Sequence, residues 1–206
     1  MITITNEDNM ELMARYPDKY FDFCLTDPPY GVNLKYNSYD DTLENWYNLM
    51  NKFIPEIIRV CKMSIFPSCS INKMDWIYKN HKPDWLISWN KGSTGHAAYI
   101  GFNSWEPLLV YGKIKKLYLH DAFTVSPTQS MGDYGHPCPK PIKYYSHFFS
   151  KIPKGSKIIE PFLGSGTAAI AAHNYNLDLI GCELDKEYYE KALDRLNKHQ
   201  MQKSLF

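Results

Sequence analysis

Residues 156–184, SKIIEPFLGSGTAAIAAHNYNLDLIGCEL, constrain the fold more than any other stretch of the chain. SKIIEPF (156–162) is a short apolar run of the kind that forms a buried strand, and LDLIGCEL (177–184) is a second one. Between them, GSGTAAIAAHN (164–174) reads as a glycine turn opening a helix of small residues. Strand, turn, helix and strand make an α/β unit with a parallel sheet. GSGTAA matches G-x-G-x-x-A, whose glycines let backbone approach a ligand at a helix N-terminus. Glu183 ends the following strand about 20 residues on, where an acid takes ribose hydroxyls. A tight strand-to-helix turn with no ligand is the plainer alternative. Only one helix follows this unit, so the remaining strands must come from upstream sequence, which is the order of a circularly rearranged sheet.

The upstream partner is LTDPPYGV, residues 25–32. YFDFCLTD (20–27) is apolar and β-prone, then stops at two prolines, neither of which donates a ladder hydrogen bond. An acid, Asp27, and an aromatic ring, Tyr30, therefore stand at a strand end. In parallel sheets, ligands bind at the carboxyl ends of the strands. The strand ending in DPPY is expected beside the one ending in EPF, with both ends forming one site.

The rest of the chain alternates. Residues 31–42 are polar and read as a loop; 43–60 carry Trp46, Leu49, Met50, Phe53, Ile57 and Val60 at helical spacing, interrupted by Pro55, which predicts a kink or two short helices. SIFPSC (64–69) reads as a strand, and DWLISWN (84–90) with EPLLVYG (106–112) as a long hairpin with an irregular connection. A further strand is expected within 116–125, an irregular stretch over 126–141 and a helix from Pro141. Asp185 is placed to cap a last helix with Tyr189, Ala192, Leu193 and Leu196 on its apolar face and Glu187–Lys191 and Asp194–Lys198 as ordered i,i+4 pairs.

With 206 residues, one domain spanning 1–206 is expected, with a small insertion over about 91–135. A net charge of +1 excludes a blanket of positive charge; a nucleic-acid face would need local segregation of Lys and Arg. Lys113, Lys115 and Lys116 could meet phosphates or could be a solvated hairpin end. The five cysteines form no CxxC pair, which argues against a zinc ribbon, and they read as buried free thiols of a reducing compartment. His96 and His136 read as loop polars, and the chemistry needs no metal. MITITNEDNM has neither the basic region nor the apolar run of a signal peptide, and no stretch approaches the roughly 18 apolar residues of a span, so a cytoplasmic, membrane-free protein is expected.

Taken together, DPPYG and EPFLGSGTAAIAA resemble the amino-group DNA methyltransferases that use S-adenosyl-L-methionine, in the permuted, beta-type order with the tetrad before the cofactor loop. The resemblance covers most of the chain. NEDNMELM (6–13) resembles the acidic cofactor motif and places Asp8; HPCPKPIKYYSHFF (136–149) resembles the His-Pro-x-x-Lys-Pro segment and places Lys140; ISWNKG, SWEPLLVYGK and GCELDKEYYEKALDRL resemble later strands and the closing helix. Glu160 stands where the family more often has Asp, and Pro139 where it often has Gln. The resemblance implies a Rossmann-like fold with a mostly parallel seven-stranded sheet and helices on both faces. It also implies catalysis by Asp27, Pro28, Pro29 and Tyr30, and a cofactor held by Asp8, Lys140, Glu160, Phe162, Gly164, Ser165, Gly166, Thr167 and Glu183.

The chemistry suits those residues. An exocyclic amine is a poor nucleophile, and acceptors on both of its N–H groups stabilise the positive charge that builds on nitrogen. Asp27 and the Pro28 carbonyl are such acceptors, and Tyr30 can stack on the base. The target base of double-stranded DNA would be flipped out, with the loop after Tyr30 and residues 91–104 ordering around it. Aspartate at position 27 favours adenine N6 by resemblance; cytosine N4 is the near alternative. An NAD-binding oxidoreductase and a non-catalytic DNA-binding module are more remote, and a homodimer is left open. The short region available for target recognition leaves the recognition sequence unassigned.

Overall fold

In the computed structural model, the described residues are 1–67, 71–92, 96–98, 101–127 and 138–203. Phe21, Phe23, Cys24 and Leu25 are fully buried, so β2 (Phe21–Leu25) lies inside the sheet rather than at its edge. Its neighbours are β9 (Lys157–Glu160) and β3 (Cys61–Pro67), both parallel to it. Cys24 pairs with Ile159, which brings Asp27 and Pro161 to the same end of the sheet. The expected adjacency of the DPPY and EPF strands is what forms.

β10 (Asp178–Glu183) pairs with β9, and β1 (Ile2–Asn6) pairs with β10 at one edge. On the other side, β7 (Trp105–Gly112) runs antiparallel to β3 and to β4 (Trp85–Asn90), and β8 (Ala122–Thr124) closes the edge parallel to β4. The order is β1-β10-β9-β2-β3-β7-β4-β8, eight strands with only β7 reversed. The sheet is thus mostly parallel but has one strand more than the expected seven, because the three residues of β8 pair with β4. β5 (His96–Ala98) and β6 (Gly101–Asn103) form a separate small hairpin where an irregular connection was expected.

Two apolar layers sandwich the sheet. On one face, α1 (Asn9–Ala14), α2 (Leu43–Val60) and α3 (Met74–Asn80) pack through Leu12, Met13, Trp46, Phe53, Ile57 and Ile77. On the other, α4 (Ile142–Phe149), α5 (Thr167–Asn174) and α6 (Lys186–Lys203) pack through Tyr144, Phe148, Ala168, Ala172, Ala192 and Leu196. The small residues of α5 let it lie close to its neighbours: six of its eight residues are buried. Asp185 caps α6 through the Tyr188 amide at 3.0 Å, and the two expected i,i+4 pairs form at 2.5 and 2.7 Å.

Other expectations need correction. α2 is one helix continuous through Pro55 rather than two short ones, held by its buried stripe of Trp46, Met50, Phe53, Ile54, Ile57 and Val60. β1 was not expected, although ITIT alternates as an edge strand does. The segment 91–135 contributes β7 and β8 to the main sheet, since six of the eight β7 residues are buried; outside the sheet it leaves the β5–β6 hairpin and residues 113–121, with 128–135 outside the described residues. Cys24, Cys61 and Cys182 are buried free thiols, Cys138 is exposed, and Cys69 lies outside the described residues, as does His136. Among the described residues no helix is long and apolar enough to cross a membrane.

Candidate active site

The last ladder bond before the prolines runs from the Thr26 amide to the Ile65 carbonyl, at 3.2 Å. Past it the chain turns at Gly31, whose φ of +62° suits glycine and where a Cβ would stand 2.6 Å from the Trp46 Cβ. Two buried groups pin this turn. The Asp41 carboxylate accepts from the amides of Gly31, Val32 and Leu34 at 2.5, 3.0 and 3.1 Å. The Lys73 ammonium donates to the carbonyls of Tyr30 and Gly31. Neither anchor was expected, because nothing local links positions 41 and 73 to the strand end.

Asp27 so held meets Lys140. The ammonium donates to Asp27 Oδ2 at 2.7 Å and to the Tyr30 hydroxyl at 2.9 Å, while that hydroxyl donates to Asp27 Oδ1 at 2.8 Å. Burial works to lower the Lys140 pKa, but the charges of Asp27 and Glu106 raise it above its ordinary value. Burial and then Asp27 push the Tyr30 hydroxyl well above its ordinary value, so it remains a donor.

Across the sheet end, the glycine turn passes close to Glu183. The Gly164 amide donates to Glu183 Oε2 at 2.8 Å, and the Asp185 amide to Oε1 at 2.9 Å. Burial raises the Glu183 pKa against those two bonds. Gly164 and Gly166 have φ of +52° and +76°. At Gly166 a Cβ would lie 2.9 Å from the Ala192 Cβ, so this glycine serves the packing of α6. Asp8 caps α1 by accepting the Met10 amide at 2.7 Å.

These ends enclose a cavity of about 160 Å³. Asp27 and Pro29 line one end of it; Asp8, Phe162, Gly164, Ser165 and Glu183 line the rest, and Lys140 joins them. Five expected residues do not line it: Pro28 and Tyr30 of the tetrad, and Glu160, Gly166 and Thr167. Glu160 is buried, accepting the Thr26 hydroxyl and, at 3.0 Å, the Phe162 amide. Thr167 is tied to Ser165 and to Arg195 at 3.0 and 2.9 Å, and Gly166 faces α6. Residues not expected also line the cavity: Asn9, Tyr36, Ser38, Tyr39, Asp185 and Tyr188. Ser38 donates to Asp185 Oδ2 at 2.5 Å and Asn37 to Glu187 at 3.4 Å, so the loop after Tyr30 straps over the cavity. Its Tyr-Ser-rich sequence, YNSYDD, is the signal that could have marked it.

Comparisons with known proteins accord with this geometry. Residues 112–194 match a family model described as DNA methylase. The type II methyltransferase M.HpaI of Haemophilus parainfluenzae is 23% identical over 225 residues, spanning 91% of this chain and 72% of its own length. The crystal structure of the M1.HpyAVI–SAM complex superposes with a TM-score of 0.69 at 21% identity, over 96% of this chain and 100% of that one. The cytosine-N4-specific PvuII DNA methyltransferase gives 0.65 at 14% identity, over 96% and 90%. Both superpositions speak to the fold.

Proposed function

With the chain placed among the amino-group DNA methyltransferases as premise, we propose that it transfers a methyl group from S-adenosyl-L-methionine to the N6 amine of an adenine flipped out of double-stranded DNA, at a specific sequence. The observation that carries this reading is that Asp27 and the Gly164–Ser165 turn line one cavity. An acceptor for an amine and a cradle for a nucleoside cofactor then open onto one space.

The cavity suits that cofactor. Asn9 Oδ1 is buried there with no hydrogen-bond partner among the described residues, an acceptor available to an adenine amine. Glu183 keeps a second lone pair on each oxygen for ribose hydroxyls, and Phe162 offers an apolar ring beside it. S-adenosyl-L-methionine supplies an electrophilic methyl on a sulfonium. Asp27 accepts one amine N–H and the Pro28 carbonyl the other, which holds the nitrogen lone pair in line and stabilises the positive charge building on it. The Tyr30 ring stacks on the base. The β5–β6 hairpin meets the DNA around the flipped nucleotide in this reading.

Adenine is assigned over cytosine from aspartate at position 27. Incubating the protein with S-adenosyl-L-methionine and DNA, then analysing nucleosides by mass spectrometry, should reveal N6-methyladenine, and Asp27→Ala should abolish it while the fold stays intact. N4-methylcytosine would overturn the base assignment, and methylation surviving in Asp27→Ala would remove Asp27 from the mechanism.

A further inference from the structure

The Lys140 side chain is only 6% exposed, and its cation is directed at the acid of the site. Burying a lone ammonium is costly; burying it against a carboxylate is tolerated only with good geometry. That geometry is present. Lys140, Asp27 and the Tyr30 hydroxyl close a ring of three hydrogen bonds at 2.7, 2.8 and 2.9 Å, so each Asp27 oxygen has one donor and keeps a lone pair. The ammonium also stands 4.9 Å from the Tyr30 ring centre and 5.7 Å from that of Trp89. Prolines flank both partners, Pro28 and Pro29 after the acid, Pro139 and Pro141 about the lysine, so little backbone freedom is lost in holding them together. Behind them Glu106, itself buried, is paired with Lys91 at 2.8 Å. A lysine directed at a sulfonium would repel it; directed at Asp27 it does not.

We propose that Lys140 is a positioning residue for Asp27: its ammonium fixes the plane of the carboxylate, so that the remaining lone pairs face the target amine. It acts through the acid rather than by holding the cofactor. This rests on the methyltransferase reading above.

The test separates turnover from cofactor affinity. In Lys140→Met, kcat for DNA methylation should fall about 100-fold, the scale of misplacing a reacting group, while the Kd for S-adenosyl-L-methionine stays within about two-fold of wild type, since a role in aiming the acid leaves binding untouched. In the Asp27→Asn background, Lys140→Met should cost nothing further. Lys140→Gln, which keeps one donor toward the acid, is read by the same two constants where Lys140→Met fails to fold. A weakened Kd with kcat retained in either variant makes Lys140 a cofactor ligand and overturns the inference, as does a wild-type kcat in Lys140→Met. A wild-type protein that binds S-adenosyl-L-methionine yet methylates neither adenine nor cytosine in DNA overturns the functional reading and this inference with it.

Discussion

The Glu160 carboxyl is 1% exposed, wedged between two strand ends. One oxygen accepts from Thr26 and from the Phe162 amide; the other has no partner among the described residues. Burial raises its pKa well above the ordinary 4.5, outweighing the two hydrogen bonds that oppose it. The folded state therefore holds this proton more tightly than the unfolded chain does. Its contribution to stability is complete below the ordinary value and is lost as pH rises from there through the raised value. Glu160→Gln removes that titration and can still accept both bonds, so the melting temperature of the variant relative to wild type should climb from pH 5 to pH 8. Thermal melts across that range check it, and a difference that stays flat or falls would contradict a neutral Glu160. Residue identity made position 160 visible in the sequence as an acid at a strand end, but its role depends on Thr26, far away along the chain.

Among the elements, α2 shows packing overriding a local breaker. Pro55 removes a helical hydrogen bond and crowds the preceding turn, yet the helix runs through it because six apolar side chains are buried along one stripe. Pro55 itself is exposed. Pro55→Ala should restore the bond and stabilise the protein by about 2 kcal/mol, the helical penalty of proline less its restriction of the unfolded chain. For a chain of this size that is a rise in melting temperature of about 4–8 °C, and calorimetry showing a fall would mean that Pro55 shapes the helix to the sheet. The helical spacing of 43–60 was legible because burial on one face imposes it. The strap over the cavity was not, because its bonds, Ser38 to Asp185 and Asn37 to Glu187, join segments that no periodicity relates.

For the molecule as a whole, the cavity draws on the chain just past β1, β2, β9 and β10 and on the strap, so a ligand filling it binds only the folded state. S-adenosyl-L-methionine at 100 times its Kd should therefore stabilise the protein by about 2.7 kcal/mol, or about 5–10 °C in a thermal shift assay. NAD should give no shift, and a reversed preference would return the glycine turn to dinucleotide chemistry.

The sequence by itself determined the strand ends and the turn chemistry: two prolines that stop β2 behind Asp27, glycines that open α5, and apolar runs that bury β9 and β10. These follow from backbone geometry and from burial over a few neighbouring residues. Tertiary structure alone decided that Lys140 faces Asp27, that Glu160 turns to Thr26, and that β7 pairs with β3. Each of these sets side by side groups that are distant along the chain, and such partners are chosen by which strands the sheet makes neighbours and by the need to satisfy buried charge.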